Sequence, residues 1–196
     1  MKTLNRRIAL CALALLVACG AEQKPAFKGI DITGAEYARQ LALPDASGKQ
    51  RTLADFKGKV VVVFFGFTQC PDVCPTALAE IAEVKQKLGA DGDKLQSVFV
   101  TVDPERDTPE IVGAYVAAFG RDFVALRGTL EQTQAAAKEF KVFFAKVPGK
   151  TAGSYTMDHT AGSFVFDPKG KVRLFVRQGG GAEAMASDIK LLLAGA

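Results

Sequence analysis

The feature that most constrains this chain is a run of six consecutive β-branched and aromatic residues, Val60-Val61-Val62-Val63-Phe64-Phe65, with Cys70-Pro71-Asp72-Val73-Cys74-Pro75 close behind it. A strand with one wet face alternates apolar and polar side chains, whereas an unbroken apolar run belongs inside a sheet covered on both faces. Such a strand needs partner strands beside it and helices above and below, which selects a layered α/β architecture. At 196 residues the chain has room for one domain of that kind.

The elements downstream supply those layers. Leu78, Ile81, Val84 and Leu88 recur on one helical face between Pro75 and Leu88, and proline in the first turn puts Cys74 at the N-cap. Ser97 to Val102 reads as the next strand. Thr108-Pro109 opens a helix carrying Ile111, Val112, Tyr115, Val116 and Phe119, and Phe123 to Leu126 reads as a short strand. Thr129 with Gln132 forms a capping box for a helix ending near Phe140. Ser163–Phe166 and Val172–Val176 are strands joined by the turn sequence Asp167-Pro168-Lys169-Gly170, and a last helix carries Met185, Ile189 and Leu192. This is the order of a thioredoxin-like α/β fold, a central mixed sheet flanked by helices; order alone also fits other α/β folds, so the weight rests on the chemistry. An N-terminal strand or hairpin extension spans Gly29 to Lys59, and an insertion of helix and loop lies between Thr129 and Tyr155, before the last hairpin.

The N-terminus reads as an address. Lys2, Arg6 and Arg7 precede an apolar run from Ile8 to Ala18, which is the length of a signal-peptide core and too short to span a bilayer as a helix. Leu16-Val17-Ala18-Cys19 resembles the bacterial lipobox, so residues 1–18 are expected to be a lipoprotein signal peptide. Cys19 is then the lipidation site, 19–28 a tether and 29–196 the folded domain; ordinary cleavage near Ala18 is the alternative. The expected location is the cell envelope, anchored to a membrane and facing the periplasm. Taking the three leader cations from 25 basic residues leaves 22 against 21 acidic, a nearly neutral body with no footprint for nucleic acid.

With Cys11 in the leader and Cys19 spent on lipid, Cys70 and Cys74 are the two thiols left for an oxidising compartment. Their position between a buried strand and a helix is where α/β sheets gather ligand and catalytic sites. The helix start favours a thiolate, the form that exchanges disulfides and binds metals. A structural disulfide would close too small a ring to contribute much. Three residues separate the cysteines, one more than in thioredoxin-type oxidoreductases, and two thiolates plus an imidazole suit a soft cation such as Cu(I). The chain has one histidine, His159, in a loop before the Ser163–Phe166 strand. A lone histidine is commonly structural, but this topology returns that loop against the cysteines. Asp158 is a candidate to orient the ring from the second shell, and Met157 is either a packing residue or a further soft ligand. Asp103-Pro104-Glu105-Arg106-Asp107 reads as a charged, solvated turn leading to the Thr108 cap, with a supporting role left open because Asp103 ends a strand on the cysteine side.

Phe64-Phe65-Gly66-Phe67-Thr68-Gln69-Cys70-Pro71-Asp72-Val73-Cys74-Pro75, then Val100-Thr101-Val102-Asp103-Pro104-Glu105-Arg106-Asp107-Thr108-Pro109, then Asp158-His159-Thr160 together resemble the Sco/SenC family of thioredoxin-fold copper proteins. Gly29 to Gly34 resembles its N-terminal segment. The resemblance implies that Cys70, Cys74 and His159 are copper ligands for Cu(I), Cu(II) or both. It implies a copper metallochaperone that helps assemble the dinuclear copper centre of cytochrome c oxidase, as copper donor, as reductant of the target cysteines, or both. The implied partners are the copper-accepting oxidase subunit and a periplasmic copper donor or thiol reductant, with the membrane reached through the lipid. Many family members carry a transmembrane helix where this chain has the lipobox.

Two other readings use the same residues. Cys70 and Cys74 are also redox-active thiols for an exported thiol–disulfide oxidoreductase or thiol peroxidase, an enzyme for which His159 is idle. A zinc site would need Asp158 as fourth ligand. No phosphate-binding glycine loop or Ser-His-Asp set stands out.

Overall fold

The chain is described over residues 26–196 by a computed structural model. The expected leader, Cys11, Cys19 and the start of the tether lie outside the described residues. In chain order the strands and helices are β1 (Ile30–Asp31), β2 (Ala42–Pro44), β3 (Gln50–Thr52), β4 (Val60–Gly66), α1 (Val73–Leu88), β5 (Leu95–Thr101) and α2 (Pro109–Ala117). They continue with β6 (Val124–Leu126), α3 (Leu130–Phe140), β7 (Phe144–Pro148), β8 (Tyr155–His159), β9 (Gly162–Phe166), β10 (Val172–Arg177) and α4 (Ala182–Leu193).

The apolar run becomes the inside of the main sheet, whose order is β1-β10-β9-β4-β5-β6. On one side β4 pairs parallel to β5, with Val60 opposite Leu95 and Gly66 opposite Thr101. On the other it pairs antiparallel to β9, with Val62 opposite Val165. Every residue of β4 and β5 is buried. Each large apolar side chain so buried contributes about 1.5–3 kcal/mol. Phe65 points to the face covered by α3, where Phe140 stands 5.1 Å from its ring and 5.2 Å from that of Phe164. The opposite face carries α1, which packs beside α4. The α1 stripe is the expected one: Leu78, Ile81, Val84 and Leu88 are all buried, joined by Cys74 and Ala77.

Local signals resolve as their chemistry dictates. Thr108 Oγ1 accepts the N–H of Ile111 at 3.3 Å and caps α2. Thr129 and Gln132 exchange the two bonds of a capping box at 2.8 and 3.2 Å. The Asp167 carboxylate takes the N–H groups of Lys169 and Lys171, each at 2.9 Å, while Gly170 adopts φ +76°, closing the β9–β10 hairpin.

Two expectations are corrected. Helix α1 starts at Val73 with Asp72 as N-cap, so Cys74 is the second helical residue. Pro75 is still tolerated, because the first turn needs no intrahelical N–H donors. The segment before His159 is a strand and not a loop: β7 and β8 form a two-stranded antiparallel ribbon running from Phe144 opposite His159 to Pro148 opposite Tyr155. Its turn is closed by Gly149 N–H donating to the Ser154 carbonyl at 2.8 Å.

The β2–β3 turn is organised by Asp45, which is 9% exposed. Its carboxylate accepts from the Ser47 hydroxyl at 2.6 Å, the Ser47 and Lys49 N–H groups at 2.9 and 3.1 Å, and Arg51 Nε at 2.7 Å. Burial pushes its pKa up, but these donors outweigh burial and bring it from 3.8 down to about 2. A depressed folded-state pKa stabilises the fold above the ordinary carboxylate range and loses that contribution as pH falls toward 2. Asp45→Ala is therefore expected to cost about 1–3 kcal/mol at neutral pH. The difference from wild type should narrow in denaturant titrations repeated near pH 2.5; a gap independent of pH would contradict the ionised-turn account.

Candidate metal centre

Strand β4 ends against the site in a glycine. A Cβ added at Gly66 would lie 2.8 Å from Cys74 Sγ and 2.9 Å from the rings of Phe64 and Phe99. Real Cβ contacts are not that short, so the absent side chain is what lets the first turn of α1 settle on the strand. The chain then leaves β4 through Phe67 and Thr68 and turns, with Cys70 N–H on the Phe67 carbonyl at 3.3 Å. Cys74 is fully buried and Cys70 is half-buried, both as free cysteines. The Cys74 N–H points at Cys70 Sγ, 3.3 Å away.

His159 reaches the pair from the last position of β8. Its Nε2 lies 3.6 Å from Cys74 Sγ, and ligand atoms of Cys70, Cys74 and His159 all fall within 4.8 Å of one another. Aromatic edges pin the imidazole: Phe67 stands at 5.9 Å and 89°, Phe64 at 6.1 Å and 80°. Ring Nδ1 lies 3.1 Å from the Thr160 carbonyl, an acceptor only, so Nδ1 carries the proton and Nε2 offers its lone pair to the sulfurs. Burial also depresses the His159 pKa, against opposing pulls from the Thr160 carbonyl and the Asp158 charge, which keeps the ring neutral at neutral pH.

The orienting role expected of Asp158 therefore falls to the Thr160 carbonyl. Successive residues of a strand point to opposite faces, and Asp158 lies exposed, opposite Ala145, where it acts on the ring only through its charge. It is not part of the ligand cluster either, which removes the fourth ligand of the zinc reading. Met157 is buried as part of the hydrophobic core, a packing residue. The thiolate expected at Cys74 is corrected as well. Burial, reinforced by the neighbouring Cys70, pushes its pKa well above the usual thiol range, so desolvation outweighs the helix terminus. A cation entering here must displace that proton.

The charged stretch after β5 is not a solvated turn. Asp103 is 1% exposed and Asp107 is fully buried. Asp107 accepts from Thr68 N–H at 3.1 Å, Thr68 hydroxyl at 2.6 Å and Thr101 hydroxyl at 2.5 Å, fixing the strand exit that leads to Cys70. No sequence signal at Asp107 foretold this role, because its partner Thr68 is 39 residues away.

Two thiols and one neutral imidazole, half open to solvent through Cys70, form a donor set for a soft cation and also a dithiol able to exchange disulfides. Comparison with known proteins agrees with this architecture. The family profile described as SCO1/SenC matches residues 31–194. A structure of Bradyrhizobium japonicum ScoI with copper bound is 40% identical, covering 79% of this chain and 98% of that one with a TM-score of 0.71. Apo Sco1 from Thermus thermophilus is 36% identical, with a TM-score of 0.77 over 87% of this chain and 99% of that one. A SCO2-like protein of Rickettsia felis is 32% identical over 167 residues, 84% of this chain and 82% of its own length. Gly66→Ala is expected to lower stability by about 1–3 kcal/mol. It should also push Cys74 off the strand, measured as a faster reaction of Cys74 with a thiol reagent at denaturant-free pH 7; unchanged stability and reactivity would contradict the close contact.

Proposed function

The chain belongs to the SCO1/SenC family, and from that membership we propose that it is a copper metallochaperone for the dinuclear copper centre of cytochrome c oxidase. The observation that carries this reading is the meeting of Cys70 Sγ, Cys74 Sγ and His159 Nε2 within 4.8 Å. Copper is the cargo. Cys70 and Cys74 are the soft donors that select Cu(I), and His159 adds the nitrogen that lets the same site accept Cu(II). Cys74 and His159 are the buried side of the site; Cys70 is the exposed side, where an incoming ligand from the oxidase subunit can exchange.

A second reading, reduction of the target cysteines, draws on the half-buried Cys70 Sγ standing beside the buried Cys74, whose N–H points at it from 3.3 Å. In that chemistry the Cys70 thiolate attacks the target disulfide, forming a mixed disulfide and releasing one target thiolate. Cys74 then gives up its proton and attacks Cys70 Sγ. The second target thiolate leaves, and the chain is left oxidised as a Cys70–Cys74 disulfide. An external thiol reductant must restore it, which is the role of the second envelope partner.

Attachment through lipid on Cys19, with 1–18 removed, 19–28 as tether and 29–196 as the periplasmic domain, is part of the proposal. Among the described residues no helix is long and apolar enough to cross a membrane.

His159→Ala is expected to weaken cupric binding at least about tenfold with the melting temperature little changed, and Cys70→Ser or Cys74→Ser to weaken both copper ions, in competition titrations. Unchanged affinity in His159→Ala would remove the imidazole from the site. Disulfide turnover with copper chelated, independent of His159, would favour the reductase. Cys19→Ser should abolish incorporation of a labelled fatty acid into the chain in cells; labelling that persists would overturn the lipid anchor.

A further inference from the structure

The strand that delivers His159 is tied to the cysteine loop by one guanidinium. Arg106 pairs through Nε with the buried carboxylate of Asp103. Its Nη1 donates to Gln69 Oε1 at 3.0 Å, beside Cys70, and to the Tyr155 carbonyl at 2.8 Å, at the start of β8. The guanidinium carbon lies 3.7 Å from the centroid of the Tyr155 ring. The Tyr155 hydroxyl returns to the other oxygen of Asp103 at 2.9 Å. Burial and that acceptor push the phenol up to about 12, so it stays a donor at neutral pH. Lys146 of β7 stands 4.8 Å from the same ring and pairs with Glu105 at 2.5 Å, adding the partner strand of the ribbon to the assembly.

Three segments distant in sequence thus share one side chain: the turn after β5, the residue before Cys70, and the first residue of the strand that ends in His159. The five residues of extended chain from Tyr155 to His159 span about 13 Å and act as a stiff lever, since the β7 ladder holds them in register. Among the described residues the ribbon is not paired into the main sheet; Phe64 and Phe67 hold the imidazole at one end of β8, and this brace holds the other.

We propose that Arg106 and Tyr155 are positioning residues: they hold His159 at ligand distance from the two sulfurs and so set the preference of the site between cupric and cuprous copper. The inference rests on the copper reading above. Two thiolates satisfy Cu(I) in a linear arrangement, whereas Cu(II) draws on the imidazole, so a loosened brace acts on one ion and spares the other.

The test pairs Arg106→Lys, which keeps the charge but loses the plane and the fork, with Tyr155→Phe, which keeps the ring but loses the bond to Asp103. Competition titrations of the full chain with Cu(II) and with Cu(I) are read beside amide hydrogen exchange of residues 156–160 without metal. Cupric affinity is expected to fall about ten- to hundredfold in Arg106→Lys. Cuprous affinity should hold within about twofold. Exchange along β8 should quicken while α4 is unaltered, and Tyr155→Phe should shift both readouts the same way by less. Cupric affinity unchanged, or lost equally with cuprous affinity, overturns the proposal. If Arg106→Lys does not fold, Tyr155→Phe decides by the same readouts. A wild-type chain that binds neither ion overturns the copper reading instead, and the metal-free exchange still decides whether the brace holds β8.

Discussion

The structure depends on the contact between the end of β4 and the first turn of α1. A strand buried on both faces must end somewhere, and here it ends in Gly66, against which Cys74 Sγ is packed so closely that a methyl group would not fit. That contact buries one of the two thiols, sets the start of α1 and leaves Cys70 on the turn outside it. Burial raises the Cys74 thiol pKa and lowers that of His159. The same desolvation leaves both groups uncharged, so a cation entering here must displace the Cys74 proton and finds the Nε2 lone pair free.

Around this contact the chain has placed charge where water does not reach. Asp107 clamps Thr68 below the cysteine turn, and Asp103 holds both Arg106 and the Tyr155 hydroxyl. Each of these carboxylate oxygens has a hydrogen-bond donor, as buried polar groups require. The result is a cysteine turn and a histidine strand supported by adjoining segments of one loop. The spacing of the three candidate ligand atoms is thereby set by the folded polypeptide itself.

What could be read from the sequence divides along the range of the interaction. The burial of β4, the stripe of α1, the caps at Thr108 and Thr129 and the Asp167–Gly170 turn are encoded by neighbours within a few residues, and the structure reproduces them. The thiol pair was legible for the same reason. The meeting of His159 with Cys74 spans 85 residues, and only topology and family resemblance pointed to it. The charge of Arg106 reads as solvated in the sequence because its decisive partner, Tyr155, is 49 residues away and partial burial has no local signature. Adjacency makes Asp158 a candidate to orient the imidazole, yet strand alternation turns it outward and the role falls to a backbone carbonyl, which has no signature in a sequence.

The central claim is that two sulfurs and one imidazole from a distant strand share one copper ion. X-ray absorption at the copper edge, on the chain loaded with one equivalent of Cu(II) and again after reduction, reads those neighbours directly. The account predicts two sulfur scatterers and one imidazole for the cupric form, with both sulfurs retained on reduction. A cupric first shell of nitrogen and oxygen alone, or one whose imidazole signal survives in His159→Ala, would contradict it.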